Sequence, residues 1–75
     1  MTKLPRISGR EAIRALERLG FTQVRQRGSH VVLRKTTSAG DIGTVVPLHR
    51  ELASGTLRGI LKQAKIEGGD FLAKI

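Results

Sequence analysis

Apolar residues recur every three to four positions in two stretches of the chain, a spacing typical of helices with one buried face. The first stretch carries Ala12, Ile13, Leu16 and Leu19. It follows Ser8, and Glu11 stands three residues after that serine, which is the spacing of a capping box. Gly20 stands where a helix-ending glycine belongs. We therefore predict a first helix over residues 9–19.

The second apolar stripe lies in the C-terminal third of the chain. It consists of Leu57, Ile60, Leu61 and Ala64. Ser54 or Gly55 precedes this helix, and the pair Gly68 and Gly69 is expected to break it. Residues 70–75 then form at most a short terminal turn.

Between the helices, three stretches favour β-structure. They are residues 21–27, 30–35 and 42–46. Gly28 and Ser29 separate the first two, and glycine at the first central position predicts a type II′ turn. Residues 36–41 read as a polar loop, and Pro47 ends the third strand. The order α-β-β-β-α predicts an α+β fold for residues 1–75 as a single domain: a three-stranded antiparallel sheet with two helices packed on one face.

Both histidines are expected at one corner of this sheet. The type II′ turn pairs Arg27 with His30, and Arg25 lies on the same face, two residues earlier. Pairing of the second hairpin places His30 opposite Pro47. His49 follows two residues later, so it is expected at the same end.

The net charge of the chain is its strongest indication of a binding partner. Fourteen Lys and Arg against six Asp and Glu give a net charge of +8 and a pI near 11.5. Such a balance favours a polyanionic partner, most often nucleic acid, or an acidic protein, although a basic surface can also serve solubility alone. Only two aromatic residues are present, Phe21 and Phe71, which are too few for a base-stacking platform. RNA binding would therefore rely on phosphates, sugar hydroxyls and shape.

Composition also narrows the chemistry and the location. With no cysteine and two histidines, a structural zinc site is not expected, and we predict no metal and no cofactor. No apolar run approaches the roughly 18 residues that a membrane span needs, and no signal peptide is evident at the start. We therefore predict a cytoplasmic protein without membrane association.

The histidine corner has groups suited to cleaving RNA without metal. A histidine near its ordinary pKa can take a proton from a ribose 2′-hydroxyl or deliver one to the leaving oxygen. Arginines can stabilise the charge of the phosphorane. The alternatives stay open: a histidine beside a turn is commonly a polar surface residue, and for His49 a structural hydrogen bond is favoured over catalysis.

Basic residues also recur along the helices. Arg10, Arg14 and Arg18 repeat every four residues on one face of the first helix, and Lys62 lies on the second. They either contact RNA phosphates or form an ordinary solvated face.

Four short segments, taken together and in order, resemble the HicA family of toxins. They are Gly28–His30, Val46–His49, Gly55–Leu57 and Ile60–Ala64. The resemblance runs from about Ser8 to Phe71. It implies a double-stranded-RNA-binding-domain-like fold, an mRNA interferase activity and a HicB antitoxin as partner. It also implies that His30 is the catalytic residue and that Gly28 permits the tight turn beside it.

The chain departs from the family where relatives often have a helix-ending glycine. Lys65 stands at that position, so we expect the second helix to continue until Gly68.

These observations lead to one hypothesis and two rivals. The hypothesis is a toxin of a type II toxin–antitoxin system, a metal-independent endoribonuclease acting on mRNA. His30 is its general base or acid, with support from Gly28, Ser29 and His49. The expected phosphate-binding residues are Arg25, Arg27, Arg10, Arg14 and Lys62. The expected partners are mRNA and a HicB-like antitoxin, in a homodimer or a toxin–antitoxin hetero-oligomer.

The first rival is a non-catalytic basic RNA-binding module of double-stranded-RNA-binding or ribosomal type, which needs the basic surface but not His30. The second is a DNA-binding repressor subunit. It ranks last because the two helices lack helix-turn-helix spacing.

Overall fold

The computed structural model describes residues 3–75, which form three helices and three strands. The helices are α1 (Gly9–Arg18), α2 (Ser54–Ala64) and α3 (Gly68–Leu72). The strands are β1 (Thr22–Arg27), β2 (His30–Thr37) and β3 (Gly40–Pro47). Among residues 3–75, no helix has both the length and the apolar character needed to cross a membrane.

The strands form one antiparallel sheet in the order β1-β2-β3. Alternate residues of β2, Val31 and Leu33, are buried, and they pair with the buried Val46 and Thr44 of β3. These side chains form the core together with the apolar stripes of α1 and α2. The opposite face, which we call the open face, is uncovered, and Val45 is 41% exposed on it. The predicted α+β architecture, with helices on one side of a three-stranded sheet, is confirmed.

The start of α1 is the predicted capping box. The Glu11 backbone N–H donates to the Ser8 hydroxyl at 3.1 Å, and the Ser8 N–H donates to the Glu11 carboxylate at 3.0 Å. The backbone N–H of Ser8, followed by its side chain, lowers the pKa of the Glu11 carboxyl. The helix ends at Arg18, one residue before the predicted boundary, and Gly20 has a φ of 101°. Local capping chemistry therefore fixes both ends of α1.

The predicted continuation of α2 to Gly68 is wrong. The helix ends at Ala64, and Lys65 adopts the left-handed conformation with φ 56° and ψ 44°. The N–H of Lys65 donates to the Lys62 carbonyl, and that of Ile66 donates to the Leu61 carbonyl, which is a Schellman motif. Ile66 packs against the core. The turn is therefore retained without glycine because tertiary packing of the next residue outweighs the preference of lysine for helix.

The pair Gly68 and Gly69 begins a new helix, α3, where only a break and a terminal turn were predicted. Phe71 on this helix is completely buried. Burial of one aromatic ring thus organises the C-terminal segment.

The predicted polar loop over residues 36–41 is also shorter than expected. Strands β2 and β3 extend to Thr37 and Gly40, so only Ser38 and Ala39 form the turn. The Thr37 hydroxyl donates to the Gly40 carbonyl at 2.7 Å and accepts from the Ala39 N–H at 3.2 Å. The polar composition of this segment reflects solvated strand ends and not a long loop.

Candidate functional site

The site is built on the tight turn between β1 and β2. Gly28 has a φ of 57°, whereas the φ of Ser29 is negative, which matches the predicted type II′ turn. The side-chain amide of Gln26 donates to the Gly28 carbonyl at 3.0 Å and braces the turn. His30 is therefore the first residue of β2, directly after a turn whose shape depends on a glycine.

The neighbours of His30 follow from the strand register. It pairs with Arg27 on β1 and with Pro47 on β3, as predicted. Arg25 pairs with Val32, and because Val31 faces the core, its neighbours His30 and Val32 lie on the open face. Arg25, Arg27 and His30 therefore share the open face at one end of the sheet, and all three are exposed.

The imidazole of His30 is free to meet a ligand. Among residues 3–75 the side-chain hydrogen bonds involve neither histidine ring. Two arginines within one or two strand positions give this corner a strongly positive character.

His49 lies at the same end of the sheet, which confirms the prediction of a shared corner. The Leu48 N–H donates to the Ser29 carbonyl at 2.7 Å, so the chain leaving β3 is tied to the turn before His30. The Gly9 N–H donates to the His49 carbonyl at 2.9 Å, and this bond joins the start of α1 to the same segment. The backbone of His49 is thus structural, while its side chain is exposed.

Gly9 is a residue of this corner that the sequence did not single out. It is buried, and a Cβ there would overlap the Pro47 carbonyl oxygen and lie 3.0 Å from the Cα of Leu48. Glycine is the residue that lets a helix approach another backbone this closely. A glycine at the first position of a helix is common for other reasons, so the sequence carried no specific signal for the contact.

The family comparison covers the elements that build this corner. A family model for the HicA toxin of bacterial toxin–antitoxin systems matches residues 9–66. The chain belongs to the HicA family. A search of curated proteins finds no sequence that matches this chain significantly.

The match gives this HicA chain a toxin role and an antitoxin as partner. It begins at Gly9, where α1 contacts the end of β3, and includes His30 and His49. It ends at Ile66, directly after the Schellman turn at Lys65. The whole corner and both long helices are therefore part of the family sequence.

The other predicted phosphate-binding residues of this HicA chain do not join the corner as one patch. Arg10 and Arg14 lie on the helical side of the sheet, along a groove between α1 and β1. Lys62 lies on α2 beside Arg58, in a separate groove that Leu4 also lines. Of the five predicted phosphate-binding residues, two lie on the face that carries His30, namely Arg25 and Arg27.

Two glutamines complete the list of residues that sequence reasoning missed. Gln23 and Gln26 line the groove with Arg10 and Arg14. The available signal was the absence of apolar residues at the core-facing positions of β1. Among residues 3–75 no group of three or more His, Asp or Glu side chains is arranged to hold a metal ion.

Proposed function

We propose that this HicA toxin is an endoribonuclease that cleaves mRNA, with His30 as its general base or acid. The observation that carries the proposal is the exposed His30 ring beside Arg25 and Arg27 on one face of the sheet. A flexible, solvated RNA strand can reach a histidine placed in this way, whereas a ring packed in the core would be inaccessible.

The chemistry follows from these side chains. His30 takes the proton of a ribose 2′-hydroxyl, the 2′-oxygen attacks the adjacent phosphorus, and the bond from phosphorus to the 5′-oxygen breaks. Arg25 and Arg27 offset the charge that builds on the phosphorane oxygens. The leaving 5′-oxygen collects a proton from a second group or from water, leaving a 2′,3′-cyclic phosphate and a 5′-hydroxyl. A proton-transfer role of this kind contributes on the order of 10² to 10⁴ in rate.

Supporting roles fall to the residues around the turn. Gly28 supplies the positive φ that the type II′ turn requires, and the Ser29 carbonyl anchors the chain leaving β3 through Leu48. The His49 side chain is exposed at the same end of the sheet and is the candidate for the second proton-transfer group. If it fills that role, activity has a bell-shaped dependence on pH, and His49→Ala removes one limb.

The partners follow from charge and family. We propose that residues 1–75 act as one domain in the cytoplasm, where mRNA is translated, and that a HicB-like antitoxin blocks the toxin in a hetero-oligomer. A net charge of +8 suits both mRNA and an acidic antitoxin. Further contacts to the RNA backbone, at phosphates that flank the scissile one, come from Arg10 and Arg14 on α1 and from Lys62 on α2.

The deciding experiment compares wild type with His30→Ala during induced expression and on purified RNA. We expect His30→Ala to abolish growth arrest and cleavage while keeping its affinity for RNA. Arg34→Ala is the matched control, because Arg34 is exposed on the same face but lies four residues along β2, about 13 Å away. It should retain most of the activity. Cleavage by His30→Ala at the wild-type rate would overturn the assignment, and RNA binding without cleavage by wild type would favour a non-catalytic RNA-binding module.

A further inference from the structure

We propose that the groove between α1 and β1 receives one base of the RNA and reads its edge through Gln23 and Gln26. This α1–β1 groove is about 180 Å³ in volume. The inference rests on RNA being the substrate, as proposed above, and adds the place where sequence preference arises.

The first observation is the unusual composition of β1 on its helical side. Gln23 pairs with Leu33 and Gln26 pairs with Val31, and both partners face the core. Residues paired in an antiparallel sheet share a face, so both glutamines face the helices. Apolar side chains fill equivalent positions of β2, yet every residue of β1 is exposed. The gap between α1 and β1 is therefore a polar groove and not a closed piece of core.

A bulge in β1 creates this arrangement. The register shifts between Gln23 and Arg25, so Val24 is an extra residue in the strand. In a strand of regular pairing, Gln23 and Arg25 would share a face, because they are two residues apart. With the bulge, Gln23 and Gln26 face the groove while Arg25 faces away, on the side of His30. Bulges commonly re-aim side chains next to active sites.

The groove offers hydrogen bonds suited to a base edge. The amide nitrogen of Gln26 donates to the Gly28 carbonyl, which leaves its oxygen and one N–H free. The amide nitrogen of Gln23 makes one long contact of 3.4 Å with the Glu17 carboxylate. A carboxamide presents a donor beside an acceptor, the pattern with which glutamine reads bases.

Arg10 and Arg14 add a stacking surface and a positive charge, neither of which the glutamines provide. They line the helical wall of the groove, four residues apart on α1. Both aromatic rings of the chain, Phe21 and Phe71, are buried, so the stacking surface for a base here is a guanidinium plane. Guanidinium groups also pair with phosphate.

The position of the groove fits a strand that continues to the catalytic corner. Leu48 lines it and donates its N–H to the Ser29 carbonyl, and Gln26 bonds to the turn before His30. Because β1 is the edge of the sheet, an RNA strand can cross it. A base then lies in the groove while a neighbouring phosphate meets Arg25 and His30 on the open face.

An acidic segment of the antitoxin is the competing occupant. Carboxylates would pair with the two arginines of α1 and accept from the amide N–H groups of Gln23 and Gln26, but they carry no donor for the two amide oxygens. The paired carboxamides therefore favour a base over an acidic peptide.

Nuclear magnetic resonance of side-chain amides tests the proposal directly. The chain has three glutamines, Gln23, Gln26 and Gln63, and no asparagine, so three side-chain NH₂ signals report on its carboxamides. Gln63 is an internal control, since it lies on α2 and contacts Thr44. Short single-stranded RNA is titrated into ¹⁵N-labelled His30→Ala protein, which should not cleave it. We expect the signals of Gln23 and Gln26 to shift and that of Gln63 to stay.

Cleavage mapping by the active protein gives the second readout. Gln23→Ala should lose the preference for one base near the cleavage site by about tenfold, measured as relative cut frequency among many sites. Thr22→Ala is the matched control, because Thr22 pairs with Arg34 and lies on the other face of β1. An unchanged cleavage pattern for Gln23→Ala, or glutamine signals unmoved while the backbone amide at position 30 shifts, overturns this inference and leaves the nuclease proposal intact. RNA that moves no signal and is not cleaved by wild type overturns both.

Discussion

Replacing glycine by alanine should have opposite effects on stability at Gly9, where α1 closely approaches the end of β3, and at Gly59, where α2 has open space. Gly9→Ala places a Cβ against the backbone of Pro47 and Leu48, which cannot rotate away as a side chain would. The start of α1 must then move from β3 and strain the bond from Gly9 to the His49 carbonyl. Gly59 lies inside α2, and a Cβ there meets nothing within 4 Å. Gly59→Ala therefore gains helix propensity at no steric cost.

The magnitudes are large enough to separate the two variants. Overpacking of this kind costs about 1–3 kcal/mol. Replacement of glycine by alanine in a helix interior gains about 0.5–1 kcal/mol. For a domain of 75 residues, each kcal/mol moves Tm by about 4–8 °C. We expect Gly9→Ala to melt about 4–24 °C below its parent and Gly59→Ala to melt a few degrees above it.

Circular dichroism of both variants in a His30→Ala background measures this without the complication of toxicity. Urea denaturation supplies the free energy of unfolding, and an unchanged m-value shows that the same surface is exposed on unfolding. A Gly9→Ala protein as stable as its parent would show that α1 does not contact β3 as described. Shifts of the same sign at both glycines would refute the reasoning as a whole.

Four further outcomes are expected. Lys65→Gly should raise the free energy of unfolding by about 0.5–1 kcal/mol by removing left-handed strain, whereas Lys65→Ala should not. The lowered pKa of Glu11 means that its stabilising contribution is present above the ordinary pKa of 4.5 and is lost as pH falls through the lowered value. Glu11→Gln should therefore flatten the acid limb of a urea-stability profile. RNA affinity should fall steeply with salt while cleavage persists in excess chelator, and activity restored only by magnesium would contradict the histidine mechanism. In the antitoxin complex His30 should be buried with an Asp or Glu near Arg25, and hydrogen exchange that leaves the His30 turn unprotected would place inhibition elsewhere.

Local chemistry explains why much of the fold was predictable. Ser8 and Glu11 define the start of α1 through their own hydrogen bonds, so a segment of four residues contains the whole signal. Gly28 fixes the first hairpin in the same way, and alternating burial in β2 then sets the register that places His30 opposite Pro47. Where the stabilising interactions of a helix start or a turn lie within a few adjacent residues, the sequence alone predicts that element.

The features that were not predictable depend on residues far apart in the chain. Lysine at position 65 predicts more helix, and only the packing of Ile66 against the core explains why the chain turns there. The contact of Gly9 with Pro47 joins α1 to β3 and leaves no trace in local composition. Phe71 organises α3 by entering a core formed by earlier elements.

The facing of the β1 side chains shows the same limit at the site itself. The sequence of β1 predicts a regular strand, whose side chains would simply alternate between the two faces. The extra residue Val24 changes the phase in mid-strand, so that Gln23 faces the helices and Arg25 the open face. The glutamines of β1 thereby join Arg10 and Arg14 on the helical side, while Arg25 and Arg27 lie on the open face. An RNA strand that uses both sets must cross the edge strand beside His30, which is where cleavage is proposed to occur.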